Sequence, residues 1–134
     1  MNGRGIFLGF DYGKKRTGVA VGEGVTKTAR PLAVLPSRAN DFWRRLDRLV
    51  ETWRPEGLVV GVVGEENPIA REIDRFCRTL ERRYRCPVYR IDETMTSQAA
   101  ELLLKGRSLS HDERRRLRDA VAAALILEDF LRRR

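Results

Sequence analysis

Residues 5–22 read GIFLGFDYGKKRTGVAVG, and this stretch decides the fold. Gly5 to Asp11 is an apolar run of strand length that closes on a carboxylate, as a buried strand does on reaching the edge of its sheet. Thr17 to Gly22 is short, small and β-branched, which predicts a second strand. Between them, Tyr12-Gly13-Lys14-Lys15-Arg16 is a polar turn with glycine where the chain reverses. Thr28 to Leu35 can supply a third strand, which Pro31 restricts to an edge or an irregular pairing. The chain therefore opens as a meander of antiparallel strands.

Alternation with helices follows. Phe42, Leu46, Leu49, Val50 and Trp53 recur at helical spacing, after an Asn40-Asp41 start and before an Arg54-Pro55 stop. Leu58 to Val63 is a continuous apolar run, expected of a central strand buried on both faces. Asn67-Pro68 reads as a helix start, and Ile69, Ile73, Phe76, Cys77, Leu80 and Tyr84 form that helix's apolar face. Val88 to Ile91 is a fifth strand running into Asp92-Glu93, and Gln98 to Lys105 a short helix. Ser110 with Glu113 matches a capping box opening a last helix to about Leu131. The expected class is α/β: a five-stranded mixed sheet, its first three strands antiparallel, flanked by helices.

The 134 residues fit one domain, 1–134, with no repeat, linker or low-complexity stretch. No apolar run approaches a membrane span and no signal-peptide pattern opens the chain, so a cytosolic protein without a membrane partner is expected. Lys and Arg number 27 against 19 Asp and Glu, a net charge of +8 that favours polyanions, nucleic acid first. Acidic residues interleave the arginine-rich stretch 71–90 and flank 114–118, so much of that charge could be solvated helix surface. Cys77 and Cys86 make neither a metal motif nor a disulfide framework, and read as packed thiols.

Three acidic positions stand out. Asp11 ends the first strand and Asp92-Glu93 ends the fifth; if those strands are neighbours, Asp11 and Glu93 converge at one edge, where open α/β sheets take ligands. Asp119 continues the face of the last helix that carries Ala122, Ala123, Ile126 and Phe130, so it points towards the sheet. A carboxylate there calls for a cationic partner. A divalent ion shared with Asp11 and Glu93, with Asp92 beside them, would be one: Mg²⁺ and Mn²⁺ take hard oxygen ligands, and a pair of ions can drive phosphodiester cleavage with no nucleophilic side chain. Each residue also has an ordinary role. Asp11 precedes a turn glycine, Asp92-Glu93 could cap a helix, and Asp119 could pair with Arg115 or Arg116. Glu65 and Glu66 are weaker competing ligands, and His111 lies inside the capping box, facing solvent. Lys14, Lys15 and Arg16 beside the first strand's end, with Arg115 and Arg118 on the last helix, are the candidate nucleic-acid contacts.

Gly9 to Val21 resembles the opening signature of the YqgF family, also called RuvX, of RNase H-like proteins. Thr28 to Leu32, Val59-Val60-Gly61, Asp92 to Ser97 and Asp119 to Leu127 are similar to the family's later blocks, in order along nearly the whole chain. The resemblance implies an RNase H-like fold and a nuclease, with Asp11, Glu93 and Asp119 corresponding to the metal ligands and Asp92 their neighbour. Members are associated with maturation of the 5′ end of pre-16S ribosomal RNA, and some were proposed as Holliday-junction resolvases. This sequence departs from the family at Thr94 and Met95, where arginine and leucine are usual, and in a shorter Val62 to Asn67 loop. Both departures concern substrate grip more than metal binding.

The leading expectation is a metal-dependent nuclease on structured RNA, with branched DNA as the alternative substrate; a resolvase would need a homodimer to cut two strands symmetrically. A nucleic-acid-binding protein without activity is the second class, favoured by the altered strand-five motif. A phosphotransferase of the actin–hexokinase type also has a strand-end Asp-x-Gly, but needs two lobes where 134 residues supply one.

Overall fold

The computed structural model describes residues 5–92 and 110–134, with the side chains of 112–116 left aside. Strands β1 (Ile6–Asp11), β2 (Arg16–Glu23) and β3 (Thr28–Pro36) form the antiparallel meander, followed by α1 (Phe42–Trp53), β4 (Gly57–Val62), α2 (Ala70–Arg83) and β5 (Val88–Asp92). A last helix, α3 (His111–Arg132), closes the described order. The sheet order is β3-β2-β1-β4-β5, with β4 parallel to both β1 and β5. The expected short helix at 98–105 lies outside the described residues.

Strand alternation explains the two cores. Leu8, Phe10, Val19, Val21, Leu58 and Val60 face α1 and α2, where Phe42, Leu46, Ile73, Phe76, Cys77 and Leu80 meet them. Phe7, Ala20, Val59 and Ile91 face the other way, against Ala123, Ala124, Ile126, Leu127 and Leu131 of α3. Burying each large apolar side chain contributes roughly 1.5–3 kcal/mol, so the central strands carry both layers. Cys77 is fully buried and Cys86 half-buried; both are free, and burial pushes both thiols up from the usual range.

Pro31 acts as its lack of an N–H requires. It lies in the edge strand, and the β2–β3 register shifts there: Val19 faces Ala33 while Ala20 faces Pro31, leaving Leu32 as the extra residue. At the start of α2, Asn67 does not cap the helix as N-cap; Ile69 takes that position, and the Asn67 side-chain oxygen accepts from the Ile69 N–H.

Glycine sets how closely α3 approaches. A Cβ on Gly18 would lie 1.9 Å from the Asp119 carbonyl oxygen, and one on Gly9 2.8 Å from the Leu127 Cβ. Only hydrogen at these positions lets the helix lie against β1 and β2. The two helices of the other layer are joined by a polar clamp. Arg83 donates to both Asp47 oxygens at 2.7 and 2.8 Å, and Tyr84 adds its hydroxyl. Hydrogen bonding from Arg83 holds the Asp47 carboxyl below the usual carboxylate range.

Gly18→Ala is expected to cost about 3 kcal/mol or more in urea denaturation, because backbone must move to admit the methyl. Gly24→Ala, whose Cβ would sit 3.6 Å from the nearest atom, should stay within about 0.5 kcal/mol. Asp47 titrates lower when folded, so its contribution is present above its unfolded pKa and is lost as pH falls through the folded value. Asp47→Asn should cost no more than about 1 kcal/mol at neutral pH, the pair being partly exposed. The wild-type advantage over that variant should vanish in acid denaturation curves.

Candidate active site

Asp11 is the last residue of β1 and lies, with Phe7 and Gly9, on the α3 face of the sheet. Its cross-strand partner in β2 is Gly18, the residue on which the Asp119 backbone rests. Cross-strand partners share a face at about 4.5–5.5 Å. Asp11 and Asp119 are therefore brought to one spot by one glycine, from positions more than a hundred residues apart.

Asp119 has a cationic partner in Arg16 of β2; the Arg115 and Arg116 side chains lie outside the described set. The Arg16 Nε donates to the Asp119 Oδ2 at 2.7 Å, the two side chains being 31% and 19% exposed. Of the residues expected to meet nucleic acid, Arg16 is thus engaged with the site's own carboxylate, whereas Lys14 and Lys15 are exposed. Arg118 is half-buried on α3, and the Arg115 side chain is outside the described set.

The strand-five carboxylates fare differently. Strand β4 separates β1 from β5, so the two are not neighbours and stand about 10 Å apart. Because β4 is parallel to both, Asp11 and Asp92 still end at the same edge of the sheet. Alternation, however, puts Asp92 on the α2 face with Arg90, which pairs with Asp74, while Ile91 faces α3. Asp92 is not brought beside Asp11. Glu93 lies outside the described residues. Among the described residues no group of three or more His, Cys, Asp or Glu side chains could hold a metal ion; Asp11 and Asp119 supply two carboxylates. Glu65 and Glu66 are exposed in the β4–α2 connection, and His111 is exposed at the start of α3.

A polar network that the sequence reading missed fixes the β1–β2 turn. Thr17 is fully buried, the one buried polar side chain among the described residues. Its hydroxyl lies 2.8 Å from that of Ser37, which donates to the Gly13 carbonyl at 2.6 Å. The Ser37 proton is committed to Gly13, so Thr17 is the donor to Ser37. The Ser37 N–H also donates to the Lys15 carbonyl. Ser37 thus ties both halves of the turn and fixes the backbone from which Arg16 reaches Asp119. The signal was present in the sequence: period-2 alternation with Val19 and Val21 puts the Thr17 hydroxyl on a core face, where it must find a partner.

Tyr12 links the site to the other layer. Its ring stacks 4.9 Å from Phe76, and its hydroxyl donates to Glu72 in the first turn of α2 at 3.3 Å. Burial, then the neighbouring Glu72 charge, raises the phenol above its usual range. At the same edge Val62, Glu65, Arg71, Asp74 and Arg90 help line a cleft of about 930 Å³.

A central β1 flanked by β2 and β4, with helices on both faces and carboxylates at its C-terminal edge, defines the RNase H-like class of fold. The same architecture is found in the Fowlpox virus resolvase solved with its substrate Holliday junction DNA, at a TM-score of 0.63 and 14% identity over 96% of this chain and 97% of that one. It is also found in Thermus thermophilus RuvC solved with a Holliday junction substrate, at a TM-score of 0.52 and 19% identity over 94% and 92%. The family model described as "RuvX: Holliday junction resolvase" matches residues 5–133, and the chain belongs to that family. Relatives include the "Putative pre-16S rRNA nuclease" of Methylococcus capsulatus, 43% identical over 92% of this chain and 86% of the relative. The Azotobacter vinelandii protein of the same description is 39% identical over 100% and 98%.

In a double-mutant cycle, Arg16→Gln and Asp119→Asn should show a coupling of about 1 kcal/mol, since either single change leaves a half-buried polar group unpaired. Thr17→Val should lower stability by about 1–2 kcal/mol through the lost hydroxyl partner of Ser37. Thermal denaturation of the wild type, the two single variants, the double variant and Thr17→Val checks both.

Proposed function

We propose that this protein is a metal-dependent nuclease that processes structured RNA, the 5′ end of pre-16S ribosomal RNA above all. The observation that carries the reading is the meeting of Asp11 and Asp119 across Gly18, in a chain 43% identical to a relative named for that RNA. In this reading the whole of residues 1–134 is one cytoplasmic domain; no described helix is long and apolar enough to cross a membrane.

The donor set fits a hard divalent cation. Asp11, Asp119 and Glu93 would hold Mg²⁺ or Mn²⁺, two ions in the full form of the proposal, with Asp92 at the outer edge. Such ions, when bound, acidify a water and stabilise the leaving oxygen of a phosphodiester. The chain's own groups do the rest. Asp11 and Asp119 present carboxylate oxygens from a strand and a helix locked together by close packing, so little reorganisation is needed on binding. Arg16 offsets the Asp119 charge. Lys14 and Lys15, exposed on the turn beside Asp11, and Arg118 with Arg115 would attract the phosphate backbone and make binding salt-dependent.

Cleavage of junction DNA is the second reading, favoured by the fold shared with a resolvase over 96% of this chain. It requires a homodimer to cut two strands symmetrically.

Precursor 16S RNA, four-way junction DNA and plain duplex should be incubated with the protein in Mg²⁺ or Mn²⁺. Cleavage of the precursor RNA is expected, falling at least about 100-fold in Asp11→Asn and in Asp119→Asn, since even outer partners of metal ligands are worth 10–100-fold. Cleavage that survives Asp11→Asn would sink the metal-site model. Cutting of the junction alone, by a protein that sediments as a dimer, would select the resolvase.

A further inference from the structure

Helix α2 and the residue two beyond its end carry arginine at 71, 75, 78, 82 and 85, a spacing of 4, 3, 4 and 3. At about 100° per residue the four within the helix fall in an arc of about 60° on one side, and Arg85 follows in the extended segment after Tyr84. All five are exposed, whereas Ile73, Phe76, Cys77 and Leu80 fill the opposite, buried side. The acids of α2 do not interrupt the stripe. Glu72 points aside to Tyr12, and Asp74 and the exposed Glu81 lie on the other flank, where Asp74 engages Arg90 and Arg78. Among the described residues, Arg71, Arg75, Arg82 and Arg85 make no salt bridge, while Arg78 makes one with Asp74 at 3.0 Å. Like charges one turn apart on a helix repel, so the folding of α2 gives no reason for this arrangement.

From Arg71 to Arg82 the stripe runs about 16 Å, with a guanidinium every 5 Å or so, given a rise of ~1.5 Å per residue. Its start is tied to the candidate site. Arg71 adjoins Glu72, which holds the hydroxyl of Tyr12, and Tyr12 follows Asp11. The stripe therefore leaves the carboxylate edge and leads away over the face opposite α3.

We propose that the α2 arginine stripe is a second RNA-binding surface, which grips the phosphate backbone of a duplex arm extending from the cleavage site. The inference rests on the nuclease reading for the identity of the RNA, and on the stripe's own geometry for the contact. Regularly spaced, exposed guanidiniums bind a phosphodiester strand through charge and release of counterions, without reading bases. The grip is sequence-independent and adds affinity for substrates long enough to reach it.

The test uses the full chain in an Asp11→Asn background, so that RNA stays intact while binding is read by fluorescence anisotropy. Arg71, Arg75 and Arg82 are changed together to Gln, which keeps helix propensity close to that of Arg. A matched control changes Arg44, Arg48 and Arg132, exposed arginines elsewhere, and circular dichroism verifies that both variants fold. For a precursor RNA bearing a duplex arm, the stripe variant should bind at least about tenfold more weakly near 0.15 M salt. Its slope of log K against log salt should be smaller by about 2.7, the share of three phosphate contacts on a duplex. With the arm removed, wild type and stripe variant should bind within twofold of each other.

Unchanged affinity and slope on the armed RNA would overturn the proposal. An equal loss in the control triple would do the same, because it would reduce the effect to net charge. Loss of binding to phosphatidylserine vesicles with RNA affinity intact would assign the stripe to a lipid surface and overturn it too. If wild-type protein binds the armed RNA through the stripe yet cuts nothing, the nuclease reading fails while the binding surface stands.

Discussion

The structure depends on one close contact, the seating of the Asp119 backbone on Gly18. No side chain can stand between the helix and the strand at that point, since even a methyl would reach 1.9 Å from a carbonyl oxygen. The approach brings Ala123, Ala124, Ile126, Leu127 and Leu131 onto the sheet and so forms one of the two cores. The same contact aligns Asp119 with Asp11, because Gly18 is Asp11's ladder partner. Packing and site geometry are thus set by a single absence of volume, and a change that relieves one alters the other.

A close approach of two acidic residues would be costly without compensation. The β1–β2 turn supplies it. Thr17, Ser37 and the Gly13 carbonyl form a short chain of hydrogen bonds that pins the turn from beneath, and Arg16 projects from the pinned backbone onto Asp119. The turn therefore has two kinds of residue with distinct roles: Arg16 balances charge within the site, while Lys14 and Lys15 remain exposed towards solvent.

Charge is divided between the two faces of the molecule. Asp11 and Asp119 meet at the C-terminal edge of β1 on the α3 side, and the arginines of α2 line the outside of the other layer. Tyr12 spans the sheet's edge between them, with its ring on Phe76 and its hydroxyl on Glu72. The net charge of +8 favours polyanions over the surface as a whole.

Much of this was legible in the sequence because it is local. Apolar and β-branched runs of strand length marked the five strands, helical spacing and a capping box marked the three described helices, Pro31 marked an edge, and the position of Asp119 among small apolar residues marked a carboxylate turned to the sheet. The family resemblance followed from the same blocks. Other features depended on which elements lie side by side. Sequence order permits β1 beside β5, but β4 occupies that place, since two parallel crossovers set the strand order and no local signal fixes it. The face of Asp92 turns on the parity of one residue in a short strand. Arg16, 103 residues distant along the chain, pairs with Asp119, and no local pattern in the sequence marks that contact. The sequence by itself determined which residues could do chemistry; the tertiary structure decided which of them meet, because contact between remote segments is set by packing volume and strand order, neither of which is encoded at any single position.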